Sequence, residues 1–219
     1  GLGEEETASA MSIAGTALNA LRVTRTGELS NWKGLAYPHT AFGGTHAAYL
    51  AKYGITGPPE VFEGNKGFMD SISGPFTIEW EKELPDRVER SILKKYNAEI
   101  HSQSTLEGVL DLRQAHKIDP AEGDKVVVNT FDVAYNIIGG GEEGDKTIVR
   151  RKEEADHSLH FMVAAALLDG QGMPPQYEQS RIESDDIQQL LKRVEVYPNE
   201  KYSRCFPDLM PCDITIHLK

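Results

Sequence analysis

The fold of this chain is decided by the stretch at residues 156–170, which reads Asp-His-Ser-Leu-His-Phe-Met-Val-Ala-Ala-Ala-Leu-Leu-Asp-Gly. Apolar side chains fill nearly all of its middle, a pattern typical of a helix that is buried on every side. Asp156 is predicted to cap this helix, and Gly170 is predicted to end it. Because such a helix needs a partner layer, we expect it to pack against a β-sheet.

Three other segments have the pattern of β-strands. Residues 125–131 are rich in β-branched side chains, and residues 212–218 alternate between apolar and polar. Residues 194–197 form a third, shorter candidate strand. Strands mixed with helices in this way predict a small α+β domain.

The first part of the chain predicts α-helices alone. Residues 4–21 carry three glutamates in the first turn and an apolar stripe, and two arginines follow them. A second helix is predicted to have Pro38 in its first turn and to end near Gly54, with small residues that permit close packing. We therefore expect part of an all-α domain at residues 1–85.

The second domain is predicted at residues 86–219. Ser104 and Glu107 fit a capping box, which predicts a helix that stops before the Asp-Pro pair at 119 and 120. Both ends of the chain fall inside patterns of regular structure, so we expect the chain to pack against more polypeptide.

Composition narrows the classes of function. The 219 residues carry a formal net charge of −11, which disfavours binding to nucleic acid. The two cysteines are too few for an iron–sulfur cluster or a disulfide framework. No apolar run approaches the roughly 20 residues that span a bilayer, and no signal peptide pattern opens the chain, so we expect a cytoplasmic protein without membrane contact. The usual motifs for nucleotide, flavin and serine-hydrolase sites are also absent from the sequence.

Three cations lie within one helix end and the loop that follows it. Arg22 and Arg25 are candidates for binding substrate carboxylates, and Lys33 is a candidate for stabilising charge that develops during a reaction. The alternative is that the arginines complement a helix C-terminus and that Lys33 is solvated.

A second cluster, at residues 94–104, leads into the capped helix. His101 is a candidate acid, base or ligand-binding donor, because histidine titrates near neutral pH. Ser102 and Gln103 stand at a helix start, which favours binding of an anion. Ordinary helix capping and a structural histidine are the alternative.

A third cluster lies at residues 154–161 and contains His157, Ser158 and His160. Two histidines three residues apart can ligate zinc, but no further ligand set accompanies them. A His-Ser pair that caps the helix is the more common arrangement, so we expect neither a metal nor another cofactor.

Together, three segments resemble the MmgE/PrpD family, which includes 2-methylcitrate dehydratases, a cis-aconitate decarboxylase and an epimerase of a related dicarboxylate. The segments are Ala-Leu-Arg-Val-Thr-Arg-Thr-Gly-Glu-Leu-Ser-Asn-Trp-Lys-Gly at 20–34, Ala-Glu-Ile-His-Ser-Gln-Ser at 98–104 and Asp-His-Ser-Leu-His-Phe-Met-Val-Ala at 156–164. Their order matches the family, so the resemblance spans essentially the whole chain.

The resemblance implies a large all-α domain followed by a smaller α+β lid, with the active site in the cleft between them. Family proteins are longer, and this chain resembles the later helices of the α domain plus most of the lid. Several catalytic positions of the family belong to the earlier half, so the resemblance implies that this chain alone holds an incomplete site. It also implies a missing N-terminal helical half as a partner, and we expect a homodimer.

By resemblance, Lys33 matches an active-site lysine of the family. His101 falls in the lid segment that faces the cleft, and His157 begins the lid helix that borders it, with Ser158 beside it. Phe161 falls where the decarboxylase branch has a tyrosine, which favours dehydration over decarboxylation. The implied function is a metal-independent carbon–oxygen lyase that dehydrates a citrate-like tricarboxylate such as 2-methylcitrate.

Removal of water from such an acid requires a base beside a carboxylate and an acid at the leaving hydroxyl. Histidines are expected to move the protons, and which of them is the acid stays open. Decarboxylation or epimerisation of a related acid remains an alternative reaction. A non-catalytic carboxylate-binding or scaffold fragment remains the alternative from another class.

Overall fold

The structure is a computed structural model that describes residues 1–84, 86, 88–89 and 91–219. The chain divides into two compact units. Unit 1 comprises Gly1–Arg25 and Ser30–Ser91, and unit 2 comprises Thr26–Leu29 and Ile92–Lys219. The predicted boundary between residues 85 and 86 adjoins Pro85, which lies outside the described residues, so that boundary stays a prediction.

Helices predominate in both units, and the strands lie in unit 2. The α-helices of the described residues are α1 (Glu4–Ala17), α2 (Trp32–Lys52), α3 (Gln103–His116), α4 (Asp132–Ile138), α5 (Lys152–Ala155), α6 (Leu159–Asp169), α7 (Gln179–Ile182), α8 (Asp185–Leu190) and α9 (Glu200–Ser203). The strands are β1 (Gly123–Thr130), β2 (Val194–Pro198) and β3 (Cys212–Leu218). In the described part of the chain, no helix combines the length and the apolar character needed to cross a bilayer.

The three predicted strands are confirmed, and they form one sheet in the order β2-β1-β3. Strand β1 pairs in parallel with β2, so that Val126 lies opposite Val194. On its other side β1 pairs antiparallel with β3, where Ile216 lies opposite Val126. The valines of β1 at positions 126 and 128 are fully buried, which places one face of the sheet in the core of unit 2. These elements confirm the predicted α+β fold.

Helix α6 is the centre of this core, as its composition predicts. Every residue from Leu159 to Leu167 is buried, and the helix packs against α3, α8 and β2. The cap predicted at Asp156 is wrong, and the alternative of a cap from the His-Ser pair is confirmed: Ser158 is the N-cap, and its hydroxyl accepts a hydrogen bond from the Phe161 N–H at 3.0 Å. Asp156 instead ends the preceding helix α5, where its carboxylate is free to bind side chains. Gly170 ends α6 in the left-handed conformation with φ of 69°, as predicted.

Helix α3 confirms the predicted helix but not its predicted capping box. The helix begins at Gln103, and its N-cap is Ser102 rather than Ser104. The Glu107 carboxylate binds Lys95 and Tyr96 instead of the backbone at the helix start. The helix lies close to the sheet at Gly108, where an added Cβ would come within 2.6 Å of Ile214.

Unit 1 is built on the close pairing of α1 and α2. Small side chains form the contact, and an added Cβ at Gly43 would overlap the side chain of Leu18. Two predicted limits are wrong: α1 ends at Ala17 instead of residue 21, and α2 begins at Trp32. Pro38 therefore lies in the second turn of α2, where its missing N–H leaves the Gly34 carbonyl without its helical donor.

Candidate functional site

Unit 2 contains a cavity of about 430 Å³ between the loop before α3 and the helix α5. Polar side chains of both segments line it. The lining residues whose side chains can form hydrogen bonds or carry charge are Lys94, Asn97, Glu99, Lys152, Asp156 and His157. Two separate segments of the sequence meet here, because the Glu99 N–H donates to the Asp156 carbonyl at 3.2 Å. The second and third sequence clusters are therefore neighbours in the fold.

The first part of the site is a hydrogen-bonded pair of Glu99 and His101. One Glu99 oxygen lies 2.8 Å from Nδ1 of His101, and the other accepts the His101 backbone N–H at 2.7 Å. The imidazole ring lies 5.7 Å from the ring centroids of both Phe131 and Phe206. Burial raises the pKa of Glu99, but the hydrogen bonds and charge of His101 outweigh burial and hold that pKa below its usual range.

The second part of the site pairs Asp156 with His157. Oδ1 of Asp156 lies 2.6 Å from Nδ1 of His157, and Oδ2 accepts a hydrogen bond from the Lys152 ammonium at 2.5 Å. Burial raises the pKa of Asp156, and the bonds to His157 and Lys152 outweigh it, so the net pKa is lowered. Asp156 therefore stays ionised at neutral pH and holds both partners in place.

Neighbouring polar groups fix the loop that carries Glu99. The Ser102 hydroxyl donates to the Glu99 carbonyl at 2.7 Å. The Gln103 side chain accepts the Tyr96 N–H at 2.9 Å and turns its amide nitrogen toward the carbonyls of residues 96, 98 and 99. The predicted His-Ser-Gln segment thus orders the loop through Ser102 and Gln103. Their proposed role in substrate binding stays a prediction.

The two pairs have the geometry for proton transfer. When a carboxylate accepts a hydrogen bond from the Nδ1–H of a neutral imidazole, the proton stays on Nδ1 and the lone pair lies on Nε2. An imidazole held in this way can take a proton or, once protonated, give one. The charge of His157 also lowers the pKa of Glu99, which places both pairs in one electrostatic network.

Other predicted site residues lie elsewhere. Ser158 is buried, and its hydroxyl is committed to the Phe161 N–H and to the Lys146 carbonyl at 2.5 Å. Arg22 and Arg25 form the ends of an exposed 3₁₀ turn in unit 1. Lys33 is half-buried in the first turn of α2, a position where the helix dipole opposes a cation. The roles assigned to these residues stay predictions.

His160, the other histidine of the third cluster, lies in the core. Burial lowers its pKa to about 4, against the smaller raising effect of Asp145. Among the described residues, no group of three or more His, Cys, Asp or Glu side chains is arranged to hold a metal ion.

Sequence reasoning missed the two carboxylates and the two lysines of the site. Glu99 stands two residues before His101 and Asp156 stands one before His157, so a carboxylate adjacent to each histidine was the available signal. Lys94 and Lys152 carried no comparable signal, because their positions at the cavity depend on the contact between two distant segments.

Comparison with known proteins agrees with the order of these segments. The model of the MmgE/PrpD C-terminal domain matches residues 96–219, and that of the MmgE/PrpD N-terminal domain matches residues 1–81. The chain belongs to the MmgE/PrpD family. The match to the C-terminal domain contains both histidine–carboxylate pairs.

Curated relatives are similar over nearly the whole chain. A 2-methylcitrate dehydratase of Salmonella typhimurium is 26% identical over 218 residues, which are 95% of this chain and 44% of that protein. The 2-methylcitrate dehydratase of Escherichia coli strain K12 is 25% identical over the same shares of both chains. A mitochondrial 2-methylcitrate dehydratase of Yarrowia lipolytica is 24% identical over 93% of this chain and 39% of its own. The chain thus spans less than half the length of these relatives.

Proposed function

We propose that this chain forms part of a hydro-lyase that dehydrates a citrate-like tricarboxylate such as 2-methylcitrate. The observation that carries the proposal is the pair of histidine–carboxylate units in unit 2, of which Glu99, Asp156 and His157 line one cavity. The names of the relatives support the same class of reaction. We further propose that the enzyme is a cytoplasmic homodimer and needs no metal.

The reaction sets clear requirements for the side chains. A base removes a proton from the carbon beside a carboxylate, the double bond forms, and the C–O bond breaks as an acid protonates the departing hydroxyl to give water. A neutral imidazole with its lone pair on Nε2 serves as the base, and a protonated imidazole serves as the acid. Lys33 is proposed to stabilise the charge that develops on the substrate carboxylate.

Phe161, whose position favours dehydration in the family comparison, is fully buried. Its ring centroid lies 5.9 Å from that of Tyr177, whose pKa is raised by burial and further by the charge of Asp156. The bearing of Phe161 on the choice of reaction stays a prediction.

The direct test is to incubate the intact protein, including the N-terminal half that the resemblance implies, with 2-methylcitrate and with cis-aconitate and to identify the products by mass. Loss of water from 2-methylcitrate is the expected result. Loss of carbon dioxide from cis-aconitate would indicate a decarboxylase instead of a dehydratase. A product of unchanged mass would indicate an epimerase. Binding without any product would favour a carboxylate-binding module.

Lys33 is tested by replacement with Met in the same assay. If it stabilises charge only in the transition state, kcat and kcat/KM fall together by about 10²- to 10³-fold, as for loss of one electrostatic donor. Lys52→Met, the same charge change at the end of α2, is the matched control. Equal turnover of both variants and the parent would remove Lys33 from the mechanism.

A further inference from the structure

Two lysines at the cavity beside α5 each use only some of their ammonium donors in hydrogen bonds to the described residues. The Lys94 ammonium donates to the Ala98 carbonyl at 2.9 Å, and the Lys152 ammonium donates to Asp156. These are the hydrogen bonds that the described residues provide for the two ammonium groups. Because an ammonium group has three donors, each lysine keeps two N–H groups for a ligand.

The acidic groups of the same cavity are already committed. Both oxygens of Glu99 bind His101, one through the ring and one through the backbone. Both oxygens of Asp156 are also in use, by His157 and Lys152. The carboxylate oxygens of the cavity are therefore bonded to protein groups. The hydrogen-bond donors of the lysines remain for a ligand.

We propose that Lys94 and Lys152, together with the Asn97 amide, form a subsite that binds one carboxylate group of a di- or tricarboxylate. The inference rests on the proposed function, to which it adds the residues that hold the substrate in unit 2. A cavity of about 430 Å³ is large enough for a six- or seven-carbon acid. The bound acid lies beside His157, which lines the same cavity.

Charge and geometry favour a carboxylate as the ligand. Lysine ammonium groups form short charge-assisted hydrogen bonds with carboxylates, and a neutral amide adds a donor without further charge. The sequence clusters placed the substrate-binding cations at Arg22 and Arg25, whereas this subsite takes its cations from the loop before α3 and from α5. It therefore adds specificity residues that the sequence alone did not suggest.

The test is to titrate citrate into the 219-residue chain and to measure its binding by calorimetry and by amide NMR. Citrate is expected to bind and to shift the side-chain amide signal of Asn97. Lys94→Met and Lys152→Met should each weaken binding about tenfold or more, as for loss of one charged hydrogen bond. Lys152→Arg should retain binding, which separates loss of the cation from a failure of the variant to fold.

Lys192→Met is the matched control, because Lys192 is exposed on the 3₁₀ turn before β2. Inorganic phosphate at equal ionic strength tests the chemical class. The proposal is overturned if citrate does not bind, if the control weakens binding as much as Lys94→Met, or if phosphate binds as tightly as citrate.

Failure of the subsite and failure of the proposed function give different results. Citrate binding that depends on Lys94 and Lys152, without turnover of any tricarboxylate by the intact protein, would remove the hydro-lyase function and keep the subsite. Dehydration with a KM that neither variant changes would keep the function and overturn the subsite.

Discussion

Glu99 is the residue on which the geometry of the candidate site depends most. It fixes His101 at the ring and at the backbone, while its own N–H joins the segment of Asp156. A carboxylate in this position sets the imidazole tautomer and stabilises the imidazolium form during proton transfer. These are effects on His101 rather than contacts with substrate, so we propose that Glu99 is a positioning residue.

Glu99→Gln is expected to lower kcat by roughly 10- to 100-fold, the usual effect of losing a partner that orients a histidine. KM should change little, because the amide of Gln keeps a hydrogen-bond acceptor but cannot stabilise the imidazolium. The measurement is steady-state turnover together with ¹⁵N NMR of the His101 ring. The ring of the parent should carry its proton on Nδ1, and Glu99→Met should shift that proton to Nε2.

Glu107→Gln is the matched control, since Glu107 binds Lys95 and Tyr96 one turn into α3. It removes the same charge without touching either histidine. Equal losses of kcat in the two variants, or an unchanged His101 ring in Glu99→Met, would show that Glu99 has no positioning role.

The sequence indicated the two histidines as candidates for this site but did not indicate their partners. His101 and His157 belong to recognisable segments, and each is a residue type that moves protons at neutral pH. Their carboxylates are brought into one cavity where the backbones of residues 99 and 156, which are 57 positions apart in the chain, form a hydrogen bond. No local pattern encodes such a contact, because it depends on how the loop packs against the end of α5.

At the scale of elements, composition predicted α6 and the three strands well because burial dominates their residue choice. Helix limits were predicted less well. Pro38 suggested a helix start, yet α2 continues through it and packs on α1, with a close approach between Gly43 and Leu18. Tertiary packing thus outweighed the local preference of proline for the first turn.

The N-cap of α6 gives a prediction at this scale. Ser158→Ala removes the acceptor of the Phe161 N–H and the donor to the Lys146 carbonyl, and both groups lie in the core. We expect a loss of about 1–2 kcal/mol in the free energy of unfolding, measured by urea denaturation. The control is Asn199→Ala, because Asn199 caps the short, exposed helix α9 through the Lys201 N–H. A smaller loss at Ser158 than at Asn199 would contradict this account.

For the whole molecule, the buried His160 predicts how stability depends on pH. Its pKa falls from 6.5 to about 4 on folding, so the unfolded chain binds the extra proton between these values. The contribution of neutral His160 to the free energy of unfolding is complete above pH 6.5. It is lost as the pH falls toward 4, which lowers that free energy by roughly 3 kcal/mol. Glu99 and Asp156, whose pKa values are lowered, add their own loss at still lower pH.

Denaturant unfolding at a series of pH values measures this slope. His160→Leu should flatten the curve between pH 6.5 and 4, because no group at that position then gains a proton on unfolding. His217→Leu, on the exposed face of β3, should leave the slope unchanged. A slope that survives His160→Leu would assign the pH dependence to other groups.

Unit 1 carries an unusual surface, which gives the last prediction. One face of α2 packs against α1 through small residues, while another face leaves large apolar side chains exposed at positions spaced by three, four or seven residues: Trp32, Leu35, Phe42, Tyr49 and, just beyond the helix, Tyr53. Phe42 is 73% exposed. Burial of each such side chain contributes about 1.5–3 kcal/mol, so a face of this kind favours association.

We therefore expect the 219-residue chain to bind the dye ANS and to self-associate as its concentration rises. Phe42→Asp places a charge in the middle of the stripe and should reduce both dye fluorescence and the sedimentation coefficient at high concentration. Leu93→Asp is the control, because Leu93 is 93% exposed in unit 2 and lies outside the stripe. If the parent chain sediments as a monomer at every concentration, or if both variants reduce dye binding equally, this face of α2 does not drive association.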